Sequence, residues 1–192
     1  PEIKENVQLG DDVTELLGVR KWEIEERATT GGTTIGNLPY DVPHTDETRI
    51  QAEPELLKEF TGLEYYISTK MDGSSHSISL DENGFHVTGH NYEYKDDGKS
   101  AFYELVINMN LEEKMKTYAA KNSLHAFTIQ GEFCAPGIQK NRLKLLKPEW
   151  YVFTIREDGK RIGLGRMLEI CKELELQSVP IEETGMDLQS KY

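Results

Sequence analysis

The chain has 192 residues, 37% of them hydrophobic and 29% charged, and its 34 Asp and Glu against 22 Lys and Arg leave a net charge of −12. Such a length holds one domain, or one with a short appendage, and no apolar run approaches the ~20 residues of a membrane helix. Two cysteines, Cys134 and Cys171, exclude a disulfide framework and a four-thiolate zinc site, which implies a reducing, cytoplasmic setting; the acidic balance means that any polyanion must be met by a local basic patch.

Residues 1–50 are rich in turn formers, with Thr29-Thr30-Gly31-Gly32-Thr33-Thr34, Asn37-Leu38-Pro39 and Val42-Pro43, and read as an arm or linker with one helical turn at Asp12–Leu17. Pro54–Phe60 has proline in its first turn and reads as a short helix. Leu63–Lys70 has a strand composition, and Ser75–Leu80 and Phe85–Thr88 flank Asp81-Glu82-Asn83-Gly84 as a hairpin. Ser100 caps an expected helix running to about Lys121, whose apolar stripe is Phe102, Leu105, Val106, Met109 and Met115. Ala126–Phe133 and Trp150–Ile155 are two further strands, and Leu164–Leu174 is a helix with Leu164, Met167, Leu168, Cys171 and Leu174 on one face. The order is mixed α+β, with an antiparallel sheet and helices packed on it. Pro1 opens the chain without a methionine and no finishing element precedes Tyr192, so a piece of a longer protein is expected.

Four segments carry candidate chemistry. Lys70-Met71-Asp72-Gly73-Ser74-Ser75 ends a strand, and Lys70 there can serve as a nucleophile if burial or a nearby cation favours the neutral amine. Gly73 would let backbone approach a phosphate or ribose; a strand-ending Asp-Gly turn with a solvated lysine is the plain alternative. Gln130-Gly131-Glu132-Phe133-Cys134-Ala135-Pro136-Gly137 runs from a strand into a turn, where Glu132 can accept a ribose hydroxyl, hold a hydrated metal, or simply face solvent. Lys140, Arg142, Lys144 and Lys147 follow with no acidic residue between Gln139 and Pro148, a local reversal of sign that suits phosphates or a solvated loop. Tyr151 and Phe153 alternate onto one face, where an aromatic can stack on a base or pack in the core. The two cysteines have no Cys-x-x-Cys spacing, and no phosphate-binding GxxxxGK loop occurs.

In this order and spacing, over roughly residues 20–180, the segments resemble the covalent nucleotidyltransferase superfamily. Within it they resemble the ATP-dependent polynucleotide (RNA/DNA) ligases, and among these the RNA ligases whose ligase domain follows an N-terminal OB domain. Lys70-Met71-Asp72-Gly73 matches the lysine-x-aspartate-glycine motif, Gly131–Asn141 the downstream ligase segment and Trp150–Ile155 the aromatic strand after it. The resemblance implies an ATP-grasp-like adenylylation domain with antiparallel sheets flanked by helices. It implies ATP and Mg²⁺ or Mn²⁺ as cofactors, AMP carried covalently on Lys70, and broken or nicked nucleic acid strands as partner, with no membrane. An mRNA-capping-type guanylyltransferase and a non-catalytic nucleotide- or nucleic-acid-binding module are the alternatives.

Carried over by position, Lys70 would be adenylylated, the backbone of Ser68 and Thr69 would read the adenine edge, and Gly73 would lie at the nucleotide. Glu132 would contact ribose or metal, and Tyr151 or, in preference, Phe153 would stack on adenine. His90 stands where the family has an arginine, so it and Asn91 share that expected contact. Lys140, Arg142, Lys144 and Lys147 would follow the nucleic acid backbone. No Glu-Gly-hydrophobic strand, and no strand with paired lysines after it, precedes Tyr192. Residues 51–192 are therefore expected to be a partial adenylylation domain with weak or no activity alone, and residues 1–50 an arm that includes the end of an OB domain.

Overall fold

The computed structural model describes residues 12–14, 16–18, 27–29, 31–40 and 42–188. In chain order these form β1 (Arg27–Thr29), β2 (Gly32–Asn37), α1 (Leu56–Glu59), β3 (Glu64–Ser68), β4 (Ser74–Asp81), β5 (Gly84–Thr88), β6 (Tyr92–Tyr94), α2 (Ala101–Asn108), α3 (Leu111–Asn122), β7 (Phe127–Cys134), β8 (Glu149–Glu157), β9 (Lys160–Arg161), α4 (Leu164–Glu173), β10 (Gln177–Ser178) and β11 (Ile181–Met186). Among the described residues one sheet has the order β1-β2-β6-β5-β4-β7-β8-β10, with β9 paired to β8, while β3 and β11 pair by themselves. Every pair is antiparallel except β8 with β10. The α+β expectation holds.

The helices cover one face of the larger sheet. Phe102 and Val106 of α2, Leu111, Met115 and Tyr118 of α3, and Met167, Ile170 and Cys171 of α4 bury against Ile78, Phe127, Ile129, Val152 and Ile155. Each fully buried side chain of this size contributes ~1.5–3 kcal/mol, which makes this layer the main source of stability. Ser100 does cap α2, its side chain accepting from Tyr103 N at 3.2 Å. The single helix expected from Ser100 to Lys121 is divided, because Asn110 turns left-handed at φ 53° between α2 and α3. Asparagine tolerates that conformation, and the apolar stripe resumes in α3 against the same core. At the hairpin, Asp81 pairs with Gly84, and the Asp81 carboxylate accepts from Asn83 N at 2.6 Å and Gly84 N at 3.2 Å.

The expected division at residue 50 does not follow a break in packing. Strand β2 adds to β6 in the main sheet, Gln130 Nε2 donates to Pro43 O at 2.9 Å, and Val42 is buried. Backbone groups of residues 32–37 need partners, and the open edge of β6 provides them. At Asp12–Leu17 a turn closes through Leu17 N to Val13 O at 2.9 Å; most of the expected OB remnant lies outside the described residues. No helix among the described residues is long and apolar enough to cross a membrane.

His76 of β4 faces the helices, with ring centroids 4.5 Å from Phe102 and 5.3 Å from Phe133. Burial lowers its pKa from 6.5 to about 4, although Nδ1 donates to Ser74 O at 2.9 Å. The unfolded chain therefore binds a proton between pH 6.5 and 4 that the folded chain refuses. Stability is full above pH 6.5 and falls as the pH drops toward 4, by about 3 kcal/mol at the limit. Urea midpoints of the wild type and His76→Phe at pH 7 and 4.5 test this. The variant should lose distinctly less on acidification; equal losses would refute the assignment.

Candidate active site

Strand β3 ends at Ser68 and the chain crosses from the small sheet to the large one through Thr69-Lys70-Met71-Asp72-Gly73. Thr69 is held against the β11 side: its N–H donates to Pro180 O at 3.0 Å and its hydroxyl donates to the Glu182 carboxylate. Met71 is buried with Cys134 and Val179, so the turn is pinned on either side of Lys70 while Lys70 itself is exposed. Of the two conditions that would favour the neutral amine, burial is not the one provided here, because Lys70 is exposed at the strand end. The turn closes onto β7, where Gly73 N donates to Glu132 Oε1 at 2.9 Å.

Gly73 is where its absent side chain matters. A Cβ there would overlap Phe133 O and stand 2.8 Å from Cys134 Sγ and 3.0 Å from Glu132 Cγ. On its Cβ side, Gly73 is approached closely by the protein's own strand β7. Burial pushes the Glu132 pKa up; the Gly73 N–H, Lys70 and His90 pull it down, and Asp72 adds to the rise. The same causes place Lys70, Asp72 and His90 within electrostatic reach of one carboxylate.

A cavity of about 610 Å³ gathers Ser68, Thr69, Lys70, His90, Glu132 and Phe153 on its walls. This brings together six of the residues singled out from the sequence. Asn91 is exposed and absent from these walls, since Gly89 N bonds Tyr92 O and closes a turn that carries Asn91 to its tip. Phe153 reaches the cavity through a bulge. Gln130 pairs with Thr154 and Gly131 with Val152, so Phe153 has no residue opposite, and such a bulge re-aims its side chain. Tyr151 packs against the same buried cluster as Phe153 but donates to Glu149 Oε2 at 2.5 Å and does not line the cavity, which separates two aromatics the sequence leaves equivalent.

Lys140, Arg142, Lys144 and Lys147 are all exposed on the loop between β7 and β8. The loop is tied to the lysine turn: Arg142 Nε is 2.9 Å from Asp72 Oδ2 and Gln139 Nε2 donates to Gly73 O at 3.3 Å. Asn141 braces it, exchanging hydrogen bonds with the Leu145 backbone at 3.0 and 3.1 Å. A smaller cavity of about 190 Å³ lies between Lys70 and this loop, so Lys70 borders a space on each side. Cys134 is buried and its thiol is pushed up to about 11, first by burial and then by Glu132, Asp72 and Glu149, which makes it a poor nucleophile. Among the described residues no group of three His, Cys, Asp or Glu side chains is arranged to hold a metal ion. Glu132 alone fits the single-carboxylate, phosphate-assisted mode common for Mg²⁺.

Sequence reasoning missed one wall of the large cavity. It is built by Thr45–Arg49 and by Arg161 of β9, with Thr45 Oγ1 2.7 Å from Ser75 Oγ. The first segment has the composition of a linker and the second is a two-residue strand, so neither carries a local signal.

None of the curated proteins matches the chain. Among solved structures it is similar to Naegleria gruberi RNA ligase. A lysine-to-alanine mutant of that ligase with ATP and Mn gives a TM-score of 0.76 at 26% identity, over 98% of this chain and 56% of that one. The same ligase with PPi gives 0.76 at 26% identity over 98% and 56%, and a lysine-to-methionine mutant with AMP and Mn gives 0.75 at 26% over 97% and 56%. The chain thus spans about half the length of the ligase it matches. The shared fold is the mixed, largely antiparallel arrangement of the nucleotidyltransferase domain. The RNA ligase family model matches residues 63–191, and the chain belongs to the RNA ligase family.

Proposed function

We propose that this chain performs the ATP-dependent adenylylation of an RNA ligase, with Lys70 as the residue that receives AMP. The observation that carries the reading is one cavity of about 610 Å³, of a size that suits a nucleotide, lined together by Lys70, Glu132 and Phe153. Lys70 Nζ attacks the α-phosphorus of ATP through its nitrogen lone pair, a nitrogen–phosphorus bond forms, the bond to the departing pyrophosphate breaks, and the nitrogen gives up a proton to solvent. AMP then passes to a 5′-phosphate on a broken RNA strand, and a 3′-hydroxyl displaces it as the strand is sealed.

Phe153 stacks on adenine. The adenine amino group donates to a carbonyl of the Ser68–Thr69 backbone; the Thr69 N–H, already engaged by Pro180 O, is not open to a ring nitrogen. Glu132 Oε1 is held by Gly73 N–H, which leaves Oε2 for a ribose hydroxyl or a divalent cation. A cation held there together with phosphate oxygens would neutralise charge on the departing phosphates. His90 faces the phosphate or ribose, and Gly73 fixes Glu132 rather than touching the nucleotide. Lys140, Arg142, Lys144 and Lys147 follow the RNA backbone as the local basic patch that the net charge of −12 requires.

The test is the intact mass of the protein after incubation with ATP and Mg²⁺, with GTP in a parallel sample. The reading expects at most a slow gain of one AMP from ATP in these 192 residues, a full gain in a chain extended past Tyr192, and no nucleotide adduct from GTP. A GMP adduct would favour a capping-type enzyme, and unchanged mass with ATP bound in the extended chain as well would reduce the site to a nucleotide-binding module. Sealing of 5′-phosphate RNA compared with the same DNA strand then tests the substrate.

A further inference from the structure

We propose that Arg161 binds the β- and γ-phosphates of the incoming nucleotide, and that Glu47 holds this arginine in their place until the nucleotide arrives. The inference rests on the nucleotide reading of the cavity given above. Arg161 lines the same cavity as Lys70, and its Nη1 lies 2.8 Å from Glu47 Oε1. Both partners are substantially exposed, at 47% and 73% of their side chains, so the pair is an easily exchanged one. A triphosphate offers several negative oxygens, and a guanidinium can engage two of them at once.

The geometry around the pair suits exchange. Glu47 sits midway along a strap fixed at both ends. On one side Val42 is buried and Thr45 bonds Ser75; on the other Arg49 O accepts from Ala52 N at 2.8 Å and Glu53 N at 3.3 Å. Residues 42–49 between these anchors have no helix or strand, so Glu47 can swing without breaking a ladder. Arg161 is firmly based by comparison. It pairs with Arg156 in the β8–β9 ladder, and the Arg156 guanidinium donates to Gly159 O at 2.8 and 3.2 Å across the turn. A fixed cation and a movable carboxylate are what a replaceable ion pair requires. Arg49, on the same wall, supplies a second positive charge to whatever anion enters.

The consequence is selective. AMP has no β- or γ-phosphate, so Arg161 should discriminate ATP from AMP and assist only the nucleotide that can react. Equilibrium binding of ATP and of AMP in a Lys70→Ala background, where no adduct forms, reads this directly. Arg161→Ala should weaken ATP about tenfold and AMP less than twofold, as expected for one charged hydrogen-bonded contact. Glu47→Gln should tighten ATP about two- to fivefold. That gain should disappear when Arg161→Ala is also present. Equal weakening of both nucleotides by Arg161→Ala would assign the arginine to the fold alone and overturn the proposal, as would no change in either. If neither nucleotide binds before Arg161 is altered, the nucleotide reading itself falls. If both bind and Arg161→Ala changes nothing, only the role of Arg161 falls.

Discussion

Lys70→Ala should yield no AMP adduct at any incubation time, a loss of at least about a thousandfold, while thermal stability stays unchanged. Removing a covalent nucleophile eliminates the step, and no neighbouring side chain can substitute for it. Cys134, whose sulfur lies against Gly73 of the lysine turn, is buried with its thiol pushed up to about 11. Stability is spared because Lys70 is exposed and the turn is anchored by buried Met71, by Thr69 against β11 and by Gly73 against Glu132. Exposed substitutions of this kind usually stay within about 0.5 kcal/mol. Lys70→Arg sharpens the test. It keeps a positive charge facing Glu132, so ATP should still bind, yet a guanidinium does not deprotonate and should form no adduct. Intact mass read beside nucleotide binding separates these outcomes. An adduct surviving in Lys70→Ala would move the nucleophile elsewhere and dismantle the proposed site.

What the sequence made legible follows the reach of local signals. Phe102, Val106, Met115, Met167 and Cys171 repeat at helical spacing, and all five are buried on the helix layer. The Asp81–Gly84 turn announces its hairpin because only those few residues decide it. The strands β2, β6, β9, β10 and β11 announce nothing, since short segments become strands only where a neighbour offers unpaired backbone groups. Ile181–Met186 of β11 is half acidic or small, and it is ordered by pairing with Glu64–Ser68, more than a hundred residues earlier. The same limit holds in the site. Lys70, Glu132 and Phe153 stand in segments whose composition marks them, whereas Glu47 and Arg161 meet only through the fold. The bulge that separates Phe153 from Tyr151 is a property of two strands read together, and alternation along one strand does not contain it.

Gly73→Ala is the substitution that tests how the site is held. Its added Cβ would overlap Phe133 O, with Cys134 Sγ at 2.8 Å and Glu132 Cγ at 3.0 Å. Phe133 O is backbone in a central strand paired on both sides, and Cys134 is buried, so neither can yield without moving β7. The lysine turn must therefore lift away, at a cost of about 1–3 kcal/mol for overpacking. For a chain of this size that is a melting temperature lower by roughly 2–12 °C. Lifting the turn lengthens the Gly73 N–H bond to Glu132 and shifts Lys70 relative to it. A misplacement of about 1 Å between reacting groups costs on the order of a hundredfold in rate. Gly165→Ala is the matched control: its Cβ meets nothing within 4 Å and it lies in α4, where alanine should stabilise by about 0.5–1 kcal/mol. Melting temperature and adenylylation rate, measured on both variants, decide between two roles for Gly73. A joint fall in stability and rate assigns it to strand packing that positions Glu132. A fall in rate at unchanged stability would instead return it to the close approach of a bound nucleotide.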